Sequence, residues 1–113
     1  MAPQTGLALL FLAEGAIMTM VALPLIYRKI PRNHIYGFRV PKTLKSDYIW
    51  YAANHYAGRC LFAAGRVIIL GSLILLPIAH WFSLATVSMI GLLLTFSPII
   101  IALWRSFRYL KRL

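Results

Sequence analysis

Acidic residues are nearly missing from this chain. Glu14 and Asp47 stand against twelve Lys and Arg, giving a formal net charge of +10 over 113 residues. With one acid at the start of the chain and one past its first third, no carboxylate dyad for general acid/base work is available. Cysteine is as scarce. Cys60 alone excludes an intramolecular disulfide and any CxxC metal or redox pair, and its apolar setting reads as packing. His34, His55 and His80 follow neither HxxxH nor HExxH spacing, so no metal centre is expected. GxGxxG, Walker and GxSxG signatures are missing as well. The expectation is a non-enzymatic protein with no catalytic residue, cofactor or metal.

Charge of either sign is also too sparse to coat a soluble domain. Charged residues make up 12% and hydrophobic ones 61%, with a mean hydropathy of +0.78, against about a quarter charged in ordinary globular chains. The class is an all-α membrane protein. A strong positive charge can signal nucleic acid. Here the basic residues border apolar runs, where topology and anionic lipid explain them, so no nucleic-acid partner is expected.

Three runs, about 6–27, 57–79 and 82–104, have the ~20 apolar residues that a helix needs to cross ~30 Å of hydrocarbon. A cleaved signal peptide would want a basic N-terminal flank, and no Lys or Arg precedes Arg28, so the first run reads as a retained helix. Residues 28–56 form a basic loop followed by an interfacial helix. From Ser46 to Leu76 no breaker intervenes, and such a helix is about 45 Å long, longer than the bilayer core is thick. Thr43 or Ser46 can cap it, with Asp47 in the favourable first turn. The link from His80 to Phe82 is short, so the second and third helices form an antiparallel hairpin.

The loop carries Arg28, Lys29, Arg32, Arg39, Lys42 and Lys45, and the chain ends on Arg105, Arg108, Lys111 and Arg112. The positive-inside rule puts both in the cytoplasm. The expected topology is three transmembrane helices with the N-terminus outside and the C-terminus cytoplasmic, in a bacterial plasma (inner) membrane.

Small residues recur every seven positions as Ala8, Gly15, Ala22 and as Gly58, Gly65, Ser72. They read either as seams for close helix contact or as the small residues common in membrane helices. Ser88, Gly91, Thr95, Pro98 and Ala102 share one face of the third helix, most simply a packing face, with a pore or groove as the sharper reading. Glu14 and Arg66 are the ionisable residues deep in apolar spans, where charge requires a partner or a function. Their depths are close enough for the long arginine to bridge, so a Glu14–Arg66 ion pair is expected.

The polar stretch between the spans has the form Asn33, Tyr36-Gly37-Phe38-Arg39, Pro41-Lys42-Thr43-Leu44, Trp50-Tyr51-Ala52-Ala53-Asn54, Ala57-Gly58-Arg59 and Ala64-Gly65. This run resembles the SdpI/YfhL family over roughly Ile30 to Gly65, with Val40 standing where the usual YGFRTPKTL form has Thr. The resemblance implies a bacterial integral membrane protein that confers immunity to a secreted, membrane-active peptide toxin, or holds a transcriptional regulator at the membrane. Well-known members carry further transmembrane segments. Asn33, Tyr36, Gly37, Arg39, Lys42, Thr43, Trp50, Asn54 and Arg59 are the candidate residues for a partner or lipid. The partners in view are membrane lipids, a peptide toxin, a cytoplasmic regulator or a larger membrane complex. Two other readings stay open: an accessory subunit of that larger complex, and a small oligomeric transporter or channel using Glu14, Arg59 and Arg66.

Neutralising Arg39 and Arg59 together should leave topology unchanged, because ten Lys and Arg remain. Reporter fusions at the two termini check this. Failure of the double variant to insert would make those residues structural.

Overall fold

A computed structural model describes residues 2–113. It is all-helical: α1 (Pro3–Ile26), α2 (Asp47–Leu75) and α3 (Leu84–Leu110), with short 3-10 turns at Thr43–Lys45 and Ala79–Trp81. All three long helices are long and apolar enough to cross a membrane. They run side by side in a body of 51 × 23 × 20 Å.

The helix ends follow local chemistry. Ser46 caps α2 by accepting from the Ile49 N–H at 3.2 Å, and Asp47 occupies the first turn. Ser83 caps α3 by accepting from the Thr86 N–H at 3.1 Å. Each side-chain oxygen satisfies an otherwise free amide. At the end of α1 the Lys29 N–H reaches the Pro24 carbonyl and the Arg28 N–H reaches that of Leu25. This is a Schellman closure, and Arg28 takes the left-handed position (φ 57°) usually given to glycine. α2 stops two residues before Pro77, whose ring disfavours helix in the residue ahead of it.

α1 and α2 pack antiparallel through the two small-residue stripes, which face each other. Ala8, Gly15, Ala22, Gly58, Gly65 and Ser72 are all buried. A Cβ added at Gly15 would meet the Gly65 carbonyl at 3.0 Å, and one at Gly65 would meet the Gly15 carbonyl at 3.0 Å. One at Gly58 would lie 3.2 Å from the Ala22 carbonyl. Backbone therefore touches backbone, which is how helices gain dispersion contact where lipid is as apolar as the side chains. At the end remote from the loop, Gln4 donates to the Phe82 carbonyl at 2.9 Å and ties α1 to the α2–α3 link.

The third helix docks by the face anticipated for it. Gly91 and Ala102 are buried, and Gly91 leaves the space that the Phe11 ring fills. Leu93, Phe96, Ile100 and Leu103 face outward, each more than half exposed.

The expected Glu14–Arg66 pair does not form. Glu14 Oε2 instead accepts from the Thr95 hydroxyl on α3 at 3.2 Å. Arg66 is exposed, with its guanidinium 5.8 Å from the Phe62 ring centre. Among the described residues the ion pair is Arg32–Asp47, at 2.8 Å. Helix geometry explains the correction. Gly15 and Gly65 meet on the seam; Glu14 precedes one and Arg66 follows the other. In antiparallel helices those ~100° steps lead to opposite sides of the α1–α2 plane. Matching depth was legible from the sequence, but the seam sets the azimuth.

Gly65→Val should lower the thermal stability of the detergent-solubilised protein by about 3 kcal/mol, since overpacking here meets backbone. Ser72 Oγ is buried without a hydrogen-bond partner, so Ser72→Ala on the same seam should leave the melting temperature unchanged or raise it. Equal loss in both variants would contradict this packing.

Candidate functional site: the cleft under the Ile35 to Arg39 loop

Between α1 and α2 the chain is too rich in Pro and Gly to stay helical, so its backbone groups need other partners. Near an apolar phase each unpaired group costs several kcal/mol, on the order of the transfer penalty. Side chains supply the pairing. Asn33 Oδ1 accepts from the N–H groups of Ile35 (2.8 Å) and Tyr36 (2.6 Å), while Nδ2 donates to the carbonyls of Pro31 (2.7 Å) and Tyr36 (3.0 Å). This Asn-centred turn leads into Gly37, whose φ of +115° suits only glycine. A Cβ there would lie 2.7 Å from Asn54 Oδ1 and 3.2 Å from the Trp50 ring.

The loop is then latched onto α2. Buried Asn54 accepts from the Phe38 N–H at 2.6 Å and donates to the Trp50 carbonyl at 3.0 Å and the Phe38 carbonyl at 3.3 Å. The Thr43 hydroxyl, fully buried, accepts from the Val40 N–H at 3.0 Å and donates to the Phe38 carbonyl at 2.9 Å. Trp50, also fully buried, donates to the Ile30 carbonyl at 2.8 Å. Asn54 and Trp50 are four residues apart on one face of α2, so one helix turn grips both ends of the loop. His55 Nδ1 lies 2.7 Å from the Ile26 carbonyl at the end of α1. Lys42 donates to the Leu110 carbonyl at 2.8 Å, and Phe38 meets Phe107 edge-on at 5.0 Å. These last contacts place the loop and the end of α3 at the same end of the molecule.

Under the loop lies a cleft of about 440 Å³. Its roof is Ile35 to Arg39, and its walls come from α1 (Val21, Leu25), α2 (Ala57, Leu61) and α3 (Ile99, Ala102). The lining is mostly apolar. Tyr36 donates its phenol proton to the Val21 carbonyl, and burial raises its pKa above the ordinary tyrosine value. The Ser106 hydroxyl is engaged with the Ala102 carbonyl at 2.7 Å. Arg39 contributes the one formal charge in the lining and is exposed. Such a cavity is chemically suited to an apolar chain with an anionic or strongly polar end.

The nine residues singled out in the sequence thus separate. Asn33, Lys42, Thr43, Trp50 and Asn54 spend their side-chain polar atoms on holding the loop, and Gly37 supplies its tight turn. Tyr36, Gly37 and Arg39 border the cleft. Arg59, one residue past the Gly58 contact, lies exposed on the outward side with Arg66, away from the cleft. Sequence reasoning missed the cleft walls. Val21, Leu25, Ala57 and Ile99 come from three helices and read locally as ordinary apolar residues, whereas Ala102 belongs to the α3 face already read as packing face or groove. The small side chains Ala57 and Ala102 were the available signal.

Removing the latch should free the loop. Asn54→Ala leaves the Phe38 N–H unpaired, a loss of about 1–3 kcal/mol. Tryptic cleavage of the detergent-solubilised protein after Arg39 or Lys42 should quicken by tenfold or more. Unchanged cleavage would mean the loop is held by something else.

The family model for the "SdpI/YfhL protein family" matches residues 29–103. Among curated proteins, the chain is similar to "Immunity protein SdpI" of Bacillus subtilis (strain 168), with 28% identity over 82 residues. That alignment covers 73% of this chain and 36% of the relative, so the chain spans about a third of the relative's length. No solved structure matches.

Proposed function

The chain belongs to the SdpI/YfhL family, and from that premise we propose that it is a non-enzymatic, immunity-type membrane protein whose cleft engages a membrane-active peptide. Coarser ground carries the first part: an SdpI-like membrane protein, similar to an immunity protein, with three helices able to span a bilayer. The observation that carries the second is the coincidence of motif and cavity. The Tyr36-Gly37-Phe38-Arg39 run lies within the matched region and roofs an apolar cleft. Its hydrogen bonds keep the cleft preformed, which spares a ligand the entropy of ordering it.

In this reading an apolar peptide segment enters between α1 and α3, and Arg39 pairs with a carboxylate or polar end at the mouth. Every Lys and Arg other than Arg59 and Arg66 lies in the loop or from Arg105 onward, at the end of the molecule where Lys42 meets Leu110. The positive-inside rule therefore favours a cytoplasmic loop and C-terminus, in a bacterial inner membrane. A toxin bound there would be captured from within the bilayer or at its inner face.

A second reading has its own support. The outward face of α3 is broad and apolar, including Leu93, Phe96 and Ile100. An accessory subunit seated on a larger membrane complex would use such a face. The transport reading has no comparable support, since Glu14 and Arg66 lie on opposite sides of the seam.

The test is protection. Expressed in a bacterium sensitive to a membrane-active peptide of the immunity class, the chain should raise survival. Ala57→Phe, which fills the cleft, should abolish that protection while membrane insertion is unchanged. Protection equal in the two proteins removes the cleft from the mechanism. No protection, together with stoichiometric recovery of a large complex from gently solubilised membranes, would establish the accessory-subunit reading instead.

A further inference from the structure

Three arginines near the end of α3 have so far served only as topology signals. Arg105 and Arg108 lie one turn apart on α3, and Arg112 stands in the turn just past its end, where its N–H bonds the Tyr109 carbonyl. Topology alone would be served by cations on any face. Here they border a separate cavity of about 270 Å³, closed by Tyr56 of α2 and by Trp104 and Tyr109 of α3.

The walls are ordered by aromatic contact. Tyr56 and Tyr109 stack at 4.2 Å with their rings 7° from parallel, joining the two helices across the cavity. The Arg108 guanidinium lies 5.3 Å from the Trp104 ring centre, where the π face favours the cation and limits its freedom. Among the described residues no Asp or Glu side chain pairs with these arginines. Asp47 is paired with Arg32, and Glu14 sits beside Thr95, nearly three turns before Arg105 along α3. A helix C-terminus carries a partial negative charge that opposes an anion. Lys42 offsets part of it by donating to the Leu110 carbonyl at 2.8 Å.

Guanidinium is the planar donor that matches phosphate oxygens two at a time. The cavity lies at the basic end of a membrane-spanning bundle, at the level of Trp104 and of the aromatic pair, where headgroups sit. We infer that Arg105, Arg108 and Arg112, with Trp104 and Tyr56, form a binding site for a phosphate group, that of an anionic phospholipid headgroup. Basic pockets between membrane helices recognise such headgroups by the same chemistry. The site is independent of the cleft: it is built from other residues and needs neither Arg39 nor a peptide.

Native mass spectrometry of the purified protein, offered cardiolipin, phosphatidylglycerol or phosphatidylcholine in detergent, tests the inference. The wild-type chain should retain the two anionic lipids over phosphatidylcholine. Each single Arg→Gln change among Arg105, Arg108 and Arg112 should weaken retention about fivefold, and the triple change about a hundredfold. A charge-matched control, Arg28→Gln with Lys29→Gln and Lys45→Gln, should retain lipid at close to the wild-type level. Arg108→Lys, which keeps charge and fold but loses the planar fork, should still weaken retention. Inorganic phosphate offered alone separates the sources: failure to compete supports a lipid headgroup. Displacement of lipid by millimolar phosphate would overturn the lipid assignment in favour of a soluble ligand. Equal losses in the control and the triple variant, or no preference for anionic lipid, would overturn the site itself.

Discussion

Backbone contact between α1 and α2 at Gly15 and Gly65 is the constraint on which the rest depends. Inside a bilayer the hydrophobic effect does not distinguish helix from lipid, so helices hold together by the closeness of their approach. The paired stripes, Ala22 near Gly58 and Gly15 against Gly65, fix the distance, the antiparallel direction and the rotation of both helices at once. Rotation is the part with consequences. It turns Ala57, Leu61, Val21 and Leu25 toward the side where α3 docks, and Arg59 and Arg66 to the other.

The polar stretch between the helices solves a different problem. A Pro- and Gly-containing segment beside an apolar phase must have its amides and carbonyls paired, and a side chain able to both donate and accept does this most compactly. Asn33 and Asn54 each do so, and Thr43 does it with a single hydroxyl. The result is a loop whose shape is set by α2 before any ligand arrives. The latch and the cleft share residues, because Gly37, packed against Asn54 and Trp50, is also part of the cleft roof. Mutation of a latch residue would therefore resemble mutation of a binding residue in an activity assay, and stability measurements are what separate them.

Two cavities at the same end have opposite character. The cleft under the loop is apolar with one arginine at its lip. The cavity beside α3 is cationic with aromatic walls. Both are bordered by α2 and α3, and Lys42 and Phe38 connect the loop to the last turns of α3 between them. The exposed, apolar outer side of α3 adjoins the cleft, since Leu103 belongs to that side and also lines the cavity.

Much of this architecture was legible locally. Hydropathy marked three helices, Ser46 and Asp47 marked the start of α2, and the seven-residue spacing of small residues marked both stripes, because these depend on a single helix's period, caps and composition. The Tyr36 to Leu44 motif, with its resemblance to a known family, was legible for the same reason. Its roles were not: Asn33, Thr43, Trp50 and Asn54 read from the sequence as ligand contacts, whereas their polar atoms pair with the chain's own backbone. Nor could the sequence tell that Glu14 turns to Thr95 rather than to Arg66, or that Ala57 and Ala102 leave a cleft. Composition and periodicity determine which residues share a helix face and how deep they lie. Only packing decides which way that face points, because the azimuth of each helix is set by contacts with the other two.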